Sequence, residues 1–172
     1  MRIQIRQGVF ETNSSSMHAI CVCHNKNTMM DKLPKEVLFE SKGVFDCDYE
    51  IYNTIEDKAD YLYTLFFEEG FIDNEIKDFQ ERITEYLESV GVKAVFSKKK
   101  PNGYINHQSL SMDLINYVFQ SKEHFLNYLF NDGTEIFTMM DCVPTDILKK
   151  ENHEFTDTEN YDIIDPSGMI FG

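Results

Sequence analysis

The stretch "NEIKDFQERITEYLESVG", Asn74 to Gly91, limits the possible folds more than any other part of this chain. Ile76, Phe79, Ile83, Tyr86, Leu87 and Val90 recur at three- and four-residue spacing, which gathers them on one stripe of an α-helix. Glu75, Asp78, Glu81, Glu85 and Glu88 fall on its other face, and Gly91 supplies a stop. Such a helix holds together by covering its apolar stripe, so the remaining residues must build a layer for it to lie on.

The rest of the chain supplies candidates for that layer. "IEDKADYLYTLFFEE", capped by Asn53 or Thr54 and ended at Gly70, predicts another helix, apolar on enough sides to be largely buried. "LSMDLINYVFQ" and "SKEHFLNYLFN" predict two shorter ones, the second capped by Ser121. Strand patterns occur in "RIQIR", "MHAICVC", "EVLFE", "KAVFS", "YINH" and "TEIFTMM". The turn "KKKPNG" predicts a reversal that joins "KAVFS" to "YINH". Strands and helices mix without a regular βαβ alternation, so the expected class is α+β, a small mixed sheet packed against several helices. Residues 1–150 read as one domain. Residues 151–172 contain no lysine or arginine, and their Phe155, Tyr161, Ile163 and Ile164 suggest an acidic appended segment that packs on it.

Charge narrows the function classes. The chain has 30 acidic and 16 basic residues and a formal net charge of −14, which opposes unassisted binding to a phosphate backbone and suits a basic protein partner. The candidate partner-binding carboxylates are Glu75, Asp78, Glu81, Glu85 and Glu88 on the amphipathic helix and Glu154, Asp157, Glu159 and Asp162 near the C-terminus. No apolar run reaches the ~18–20 residues of a membrane span, and the N-terminus lacks a signal-peptide core, so a cytoplasmic location is expected. There Cys21, Cys23, Cys47 and Cys142 would stay reduced, as core thiols or as metal ligands.

The stretch "FETNSSSMHAICVC", Phe10 to Cys23, carries the open chemical question. In a regular strand His18, Ile20 and Val22 share one face and Ala19, Cys21 and Cys23 the other, with the two cysteines roughly 6.5–7 Å apart along the backbone. Two thiolates so spaced could share a structural zinc ion, with Cys47 and Cys142 completing a tetrahedron. As a hydrolase, the serines Ser14, Ser15 and Ser16 would need a base such as His18 or His107, with Glu11 to orient it, and no G-x-S-x-G elbow is present. As a plain turn, Thr12, Asn13 and the serines would bond their own backbone.

"RQGVFETNSSSMH" resembles an N-terminal signature of small phage and prophage proteins of Gram-positive bacteria, a basic residue followed by F-E-T-N-S-S-S-x-H. The resemblance continues at "DKADYLYT" and at "YINHQS". It implies a shared polar cluster of Glu11, Asn13, Ser14, Ser15, Ser16, His18, His107 and Ser109. The Cys21/Cys23 pair lies outside that signature. In size and charge the chain also looks like type II-A anti-CRISPR proteins, phage-borne inhibitors of the RNA-guided DNA endonuclease, some of which contain metal. That likeness implies a non-enzymatic inhibitor that binds the CRISPR effector nuclease in the host cell and blocks DNA loading. The alternatives are a hydrolase built on the His18 and His107 clusters and a phage structural or assembly protein.

Overall fold

The computed structural model describes residues 17–46, 50–105, 111–139, 161–164 and 170–171. In order these form β1 (Met17–Cys23), a 3-10 turn (Lys26–Thr28), β2 (Glu36–Phe39), β3 (Val44–Phe45), β4 (Glu50–Tyr52), α1 (Ile55–Glu68) and α2 (Asp73–Glu88). There follow β5 (Lys93–Phe96), β6 (Tyr104–Ile105), α3 (Ser111–Val118), α4 (Lys122–Phe130), β7 (Glu135–Met139), β8 (Tyr161–Ile164) and β9 (Ile170–Phe171). The class is α+β. The expected strand "RIQIR" lies outside the described residues.

Local chemistry sets the helix ends. Thr54 Oγ1 accepts the Asp57 N–H at 3.1 Å, and Ser121 Oγ accepts the His124 N–H at 3.1 Å, so each N-terminus has a side-chain cap. α1 and α2 stop where Gly70 (φ 70°) and Gly91 (φ 76°) turn left-handed. The N–H groups of Gly70 and Phe71 then return to the carbonyls of Phe67 and Phe66, and those of Gly91 and Val92 to Glu88 and Leu87. At the start of α2 no cap side chain is available, and Glu75 reaches back to the Ile72 N–H at 3.0 Å.

The main sheet is antiparallel throughout, in the order β4-β7-β1-β8-β9. Thus β1 is its central strand, paired with β7 as Cys21↔Glu135 and with β8 as Cys21↔Ile163. Ile20, Val22 and Ile136 belong to the helix-side core, which alternation along β1 anticipates. Within the segment 151–172, β8 and β9 are strands of this sheet.

The hairpin expected over residues 93–107 does not form. Instead β5 pairs in parallel with β2, and β6 in parallel with β3, two short two-stranded sheets that follow one another as a ribbon with the 98–103 loop between them. The ladder carries across the interruption: Ser97 N–H donates to Phe39 O at 2.9 Å and Tyr104 N–H to Gly43 O at 2.9 Å. The Pro-Asn-Gly sequence therefore shapes a bulge on a continuing strand. A turn signal shows that the chain must bend, while the pairing is chosen by the apolar face that α1 and α2 require.

α1 is the centre of the molecule. Every residue from Lys58 to Phe66 is buried, with the ribbon on one side and α4 on another. Aromatic rings fill the joint between helices: Phe66 stacks on Phe79 with centroids 4.7 Å apart, and Phe79 meets Phe119 at 4.9 Å.

Candidate functional site

α2 projects the strongest feature of the surface. Ile76, Ile83 and Leu87 are buried against the core, whereas Glu75, Asp78, Glu81, Glu85 and Glu88 are exposed. Asp78, Glu81, Glu85 and Glu88 follow at spacings of three, four and three, a continuous stripe. Among the described residues, no cation stands within ion-pair distance of any of these four; the two ion pairs present both involve Glu40. Arg82, the one arginine of the helix, is turned away from the stripe. It donates to the Phe119 carbonyl and to Tyr86 OH at 3.2 Å, with its guanidinium 5.0 Å from the Phe119 ring centre.

Between α2 and β5 runs an open groove of about 470 Å³, lined by Lys77, Gln80, Glu81, Thr84, Glu85, Glu88 and Phe96. Its walls are fixed from inside. Gln80 Nε2 donates to Tyr63 OH at 2.8 Å, and Thr84 Oγ1 donates to the Gln80 carbonyl at 2.7 Å. Glu75 differs from its neighbours in serving the N-terminus of α2, so its carboxylate has a structural task.

The cysteines occupy a different environment. Cys21 and Cys23 are buried and free, 2% and 0% exposed, and neither belongs to the helix-side core. Burial first, then the charge of Glu135 and the neighbouring Cys23, push the Cys21 thiol far above its ordinary range and hold it neutral. Cys23 Sγ lies 3.3 Å from Thr28 Oγ1, and its N–H donates to Thr134 Oγ1 at 2.9 Å. Among the described residues no three His, Cys, Asp or Glu side chains are placed to share a metal ion. β7 does lie beside β1, yet its C-terminal end, Met139, pairs with Met17, four residues from Cys21 and about 13 Å along the strand. Cys47 and Cys142 lie outside the described residues.

The polar cluster is only touched by the structure. His18 sits in β1 opposite Thr138, and Glu11, Asn13, Ser14, Ser15, Ser16, His107 and Ser109 lie outside the described residues. Of the C-terminal acids, Glu154, Asp157 and Glu159 also lie outside them, while the Asp162 backbone pairs with Val22 inside the sheet.

Sequence reasoning missed a second polar centre, at the joint of α1 and the ribbon. The Asp60 carboxylate accepts the N–H groups of Lys42 and Gly43 at 3.1 and 3.0 Å and the Thr64 hydroxyl at 3.1 Å. Ser41 Oγ accepts from Gly103 N–H and Thr64 Oγ1, each at 3.2 Å. Nearby, Lys99 and Lys42 both pair with Glu40, whose carboxyl their hydrogen bonds hold below its usual range. The signal available in the sequence was Asp60 and Thr64 one turn apart in a helix that reads as apolar. Comparison with known families, curated proteins and solved structures returns no match for this chain.

Proposed function

We propose that this chain acts by binding, as an acidic inhibitor that covers a cationic, nucleic-acid-handling surface of a protein partner. The type II CRISPR effector nuclease is the partner that the sequence resemblance suggests. The observation that carries the reading is the stripe Asp78–Glu81–Glu85–Glu88, exposed on α2 and making no ion pair among the described residues, with Lys77 as the one cation lining the same groove. An effector of this class holds its RNA–DNA heteroduplex in a positively charged channel, and Lys and Arg side chains there would find fixed carboxylates on α2 in place of phosphates. The net charge of −14 adds long-range attraction to such a channel and repels free nucleic acid.

The test is inhibition of guide-directed plasmid cleavage by purified effector. Wild-type chain should inhibit at low salt and less as salt rises. The variant carrying Glu81→Lys, Glu85→Lys and Glu88→Lys should lose most of that effect while keeping its circular dichroism spectrum. Equal inhibition by wild type and variant, or none by either, rejects the reading.

A further inference from the structure

The α2 groove carries three carboxylates, Glu81, Glu85 and Glu88, against one lysine, Lys77, and reaches Phe96 of β5 at its edge. Two residues beyond Phe96 the chain enters Lys98–Lys99–Lys100, all exposed. This loop is anchored: Lys99 pairs with Glu40 at 2.8 Å, and the N–H groups of Asn102 and Gly103 both donate to Ser41 O at 3.0 Å. Lys42 shares the same carboxylate at 3.3 Å. One carboxylate thus serves two lysines, and Lys98 and Lys100 have no ion-pair partner among the described residues. In a chain with only 16 basic residues, four gather at this edge.

A surface with an acidic strip beside a basic strip is complementary to its own copy after a two-fold rotation, because each strip then meets the opposite one. The opposite face of the ribbon exposes Leu38, Val44 and Tyr104, with Leu38 paired to Val95 while the groove's Phe96 pairs with buried Phe39. The groove's carboxylates repel phosphates, which favours a protein occupant over a nucleic acid. We propose that the α2 groove and the 98–103 loop together form an interface between two copies of this chain, Lys98 and Lys100 of each entering the acidic groove of the other. The interface uses the carboxylates of the inhibitor reading, so a cationic partner and a second copy compete for them.

Sedimentation equilibrium of the full chain tests this. Wild type should dimerise with concentration at low ionic strength, with affinity falling roughly tenfold as salt rises from about 0.05 to about 0.5 M. Lys98→Glu with Lys100→Glu should weaken the dimer about tenfold or more, and so should Glu85→Lys with Glu88→Lys. The second pair lowers the magnitude of the net charge from −14 to −10, so mere relief of repulsion predicts the opposite sign. All four changes together should restore association. A monomer at every concentration, or failure of the fourfold variant to recover, overturns the proposal. So does binding of a fluorescent single-stranded oligonucleotide that Lys98→Glu and Lys100→Glu abolish. Because the chain is measured alone, a missing dimer leaves the inhibitor assay unaffected, and failed inhibition leaves the dimer standing.

Discussion

The ammonium of Lys58, 1% exposed in the middle of α1, donates to the backbone carbonyl oxygen of Asn131 at 3.0 Å. Asn131 is itself a junction: its Oδ1 accepts from Thr28 Oγ1 at 2.7 Å and from Gly133 N–H at 3.0 Å, and its Nδ2 donates to Asn25 O at 3.1 Å. The contact ties α1 to the turn between α4 and β7 and, through Thr28, to the end of β1. Burial lowers the Lys58 pKa from 10.5 to about 8, an effect that the charges of Asp132, Glu135 and Asp57 only partly offset.

That shift has a measurable sign. The unfolded chain holds the Lys58 proton more tightly than the folded one, so stability rises with pH as pH passes upward through the folded-state value toward the unfolded one. Buried Cys21, Tyr61 and Tyr128 act oppositely at higher pH, because their raised pKa values leave the unfolded state to ionise first. Comparison with Lys58→Met isolates the lysine. From pH 7 to pH 9 wild type should gain on the order of 1 kcal/mol relative to that variant in urea unfolding. Parallel stability curves for the two proteins would show that the buried amine carries no proton penalty.

Gly103 sits where a side chain has no room. A Cβ there would lie 2.6 Å from Thr64 Oγ1, 2.7 Å from Ser41 Oγ and 3.0 Å from the Lys42 nitrogen. Gly103→Ala should cost about 1–3 kcal/mol by forcing the Asp60–Thr64–Ser41 cluster apart. Gly70→Ala, with φ 70° and open space around it, should cost only about 1 kcal/mol, from its left-handed backbone. Urea midpoints that rank the two the other way would mean that the polar cluster yields easily.

These two sites mark how far the sequence could be read. Thr54, Ser121, Gly70 and Gly91 announced helix ends because caps and left-handed turns are local chemistry, and the 3.6-residue stripe of α2 announced its buried face. Pairing is not local. Nothing within "KAVFS" or "YINH" says that each will find a parallel neighbour some sixty residues upstream, and the turn between them pointed to the wrong partner. β8 was likewise hidden, since its Asp162 reads as one of a run of acids while its register is set by β1. Of the candidate site, the carboxylate stripe was fully legible. The inward turn of Arg82 was not, because it depends on where Phe119 comes to rest.

The buried thiols make a further prediction. Burial and the charge of Glu135 hold the proton on Cys21, so a reagent that needs the thiolate meets a neutral, shielded thiol. In a chain carrying Cys47→Ser and Cys142→Ser, a thiol reagent at pH 8 should leave Cys21 and Cys23 unmodified until urea is added. Rapid labelling in the native state would show that the pair is open to solvent. Elemental analysis of the wild-type chain decides the zinc question separately: one zinc per chain, released by chelation with a fall in melting temperature, assigns the cysteines as metal ligands.

Arg82 separates the stability of α2 from the use of its surface. Its guanidinium bridges the Phe119 carbonyl and the Tyr86 hydroxyl while lying over both rings, geometry that a lysine ammonium cannot reproduce. Arg82→Lys should therefore cost about 1–2 kcal/mol in unfolding experiments. It keeps the charge of the helix and leaves Glu81, Glu85 and Glu88 in place, so at temperatures where the variant stays folded its affinity for a cationic partner should match wild type. Glu85→Lys should show the reverse, with near-native stability and weakened binding. Were Arg82→Lys to weaken binding as strongly as Glu85→Lys, the acidic stripe would not be acting as a preformed surface, and the partner would be selecting the fold of α2 rather than its charge.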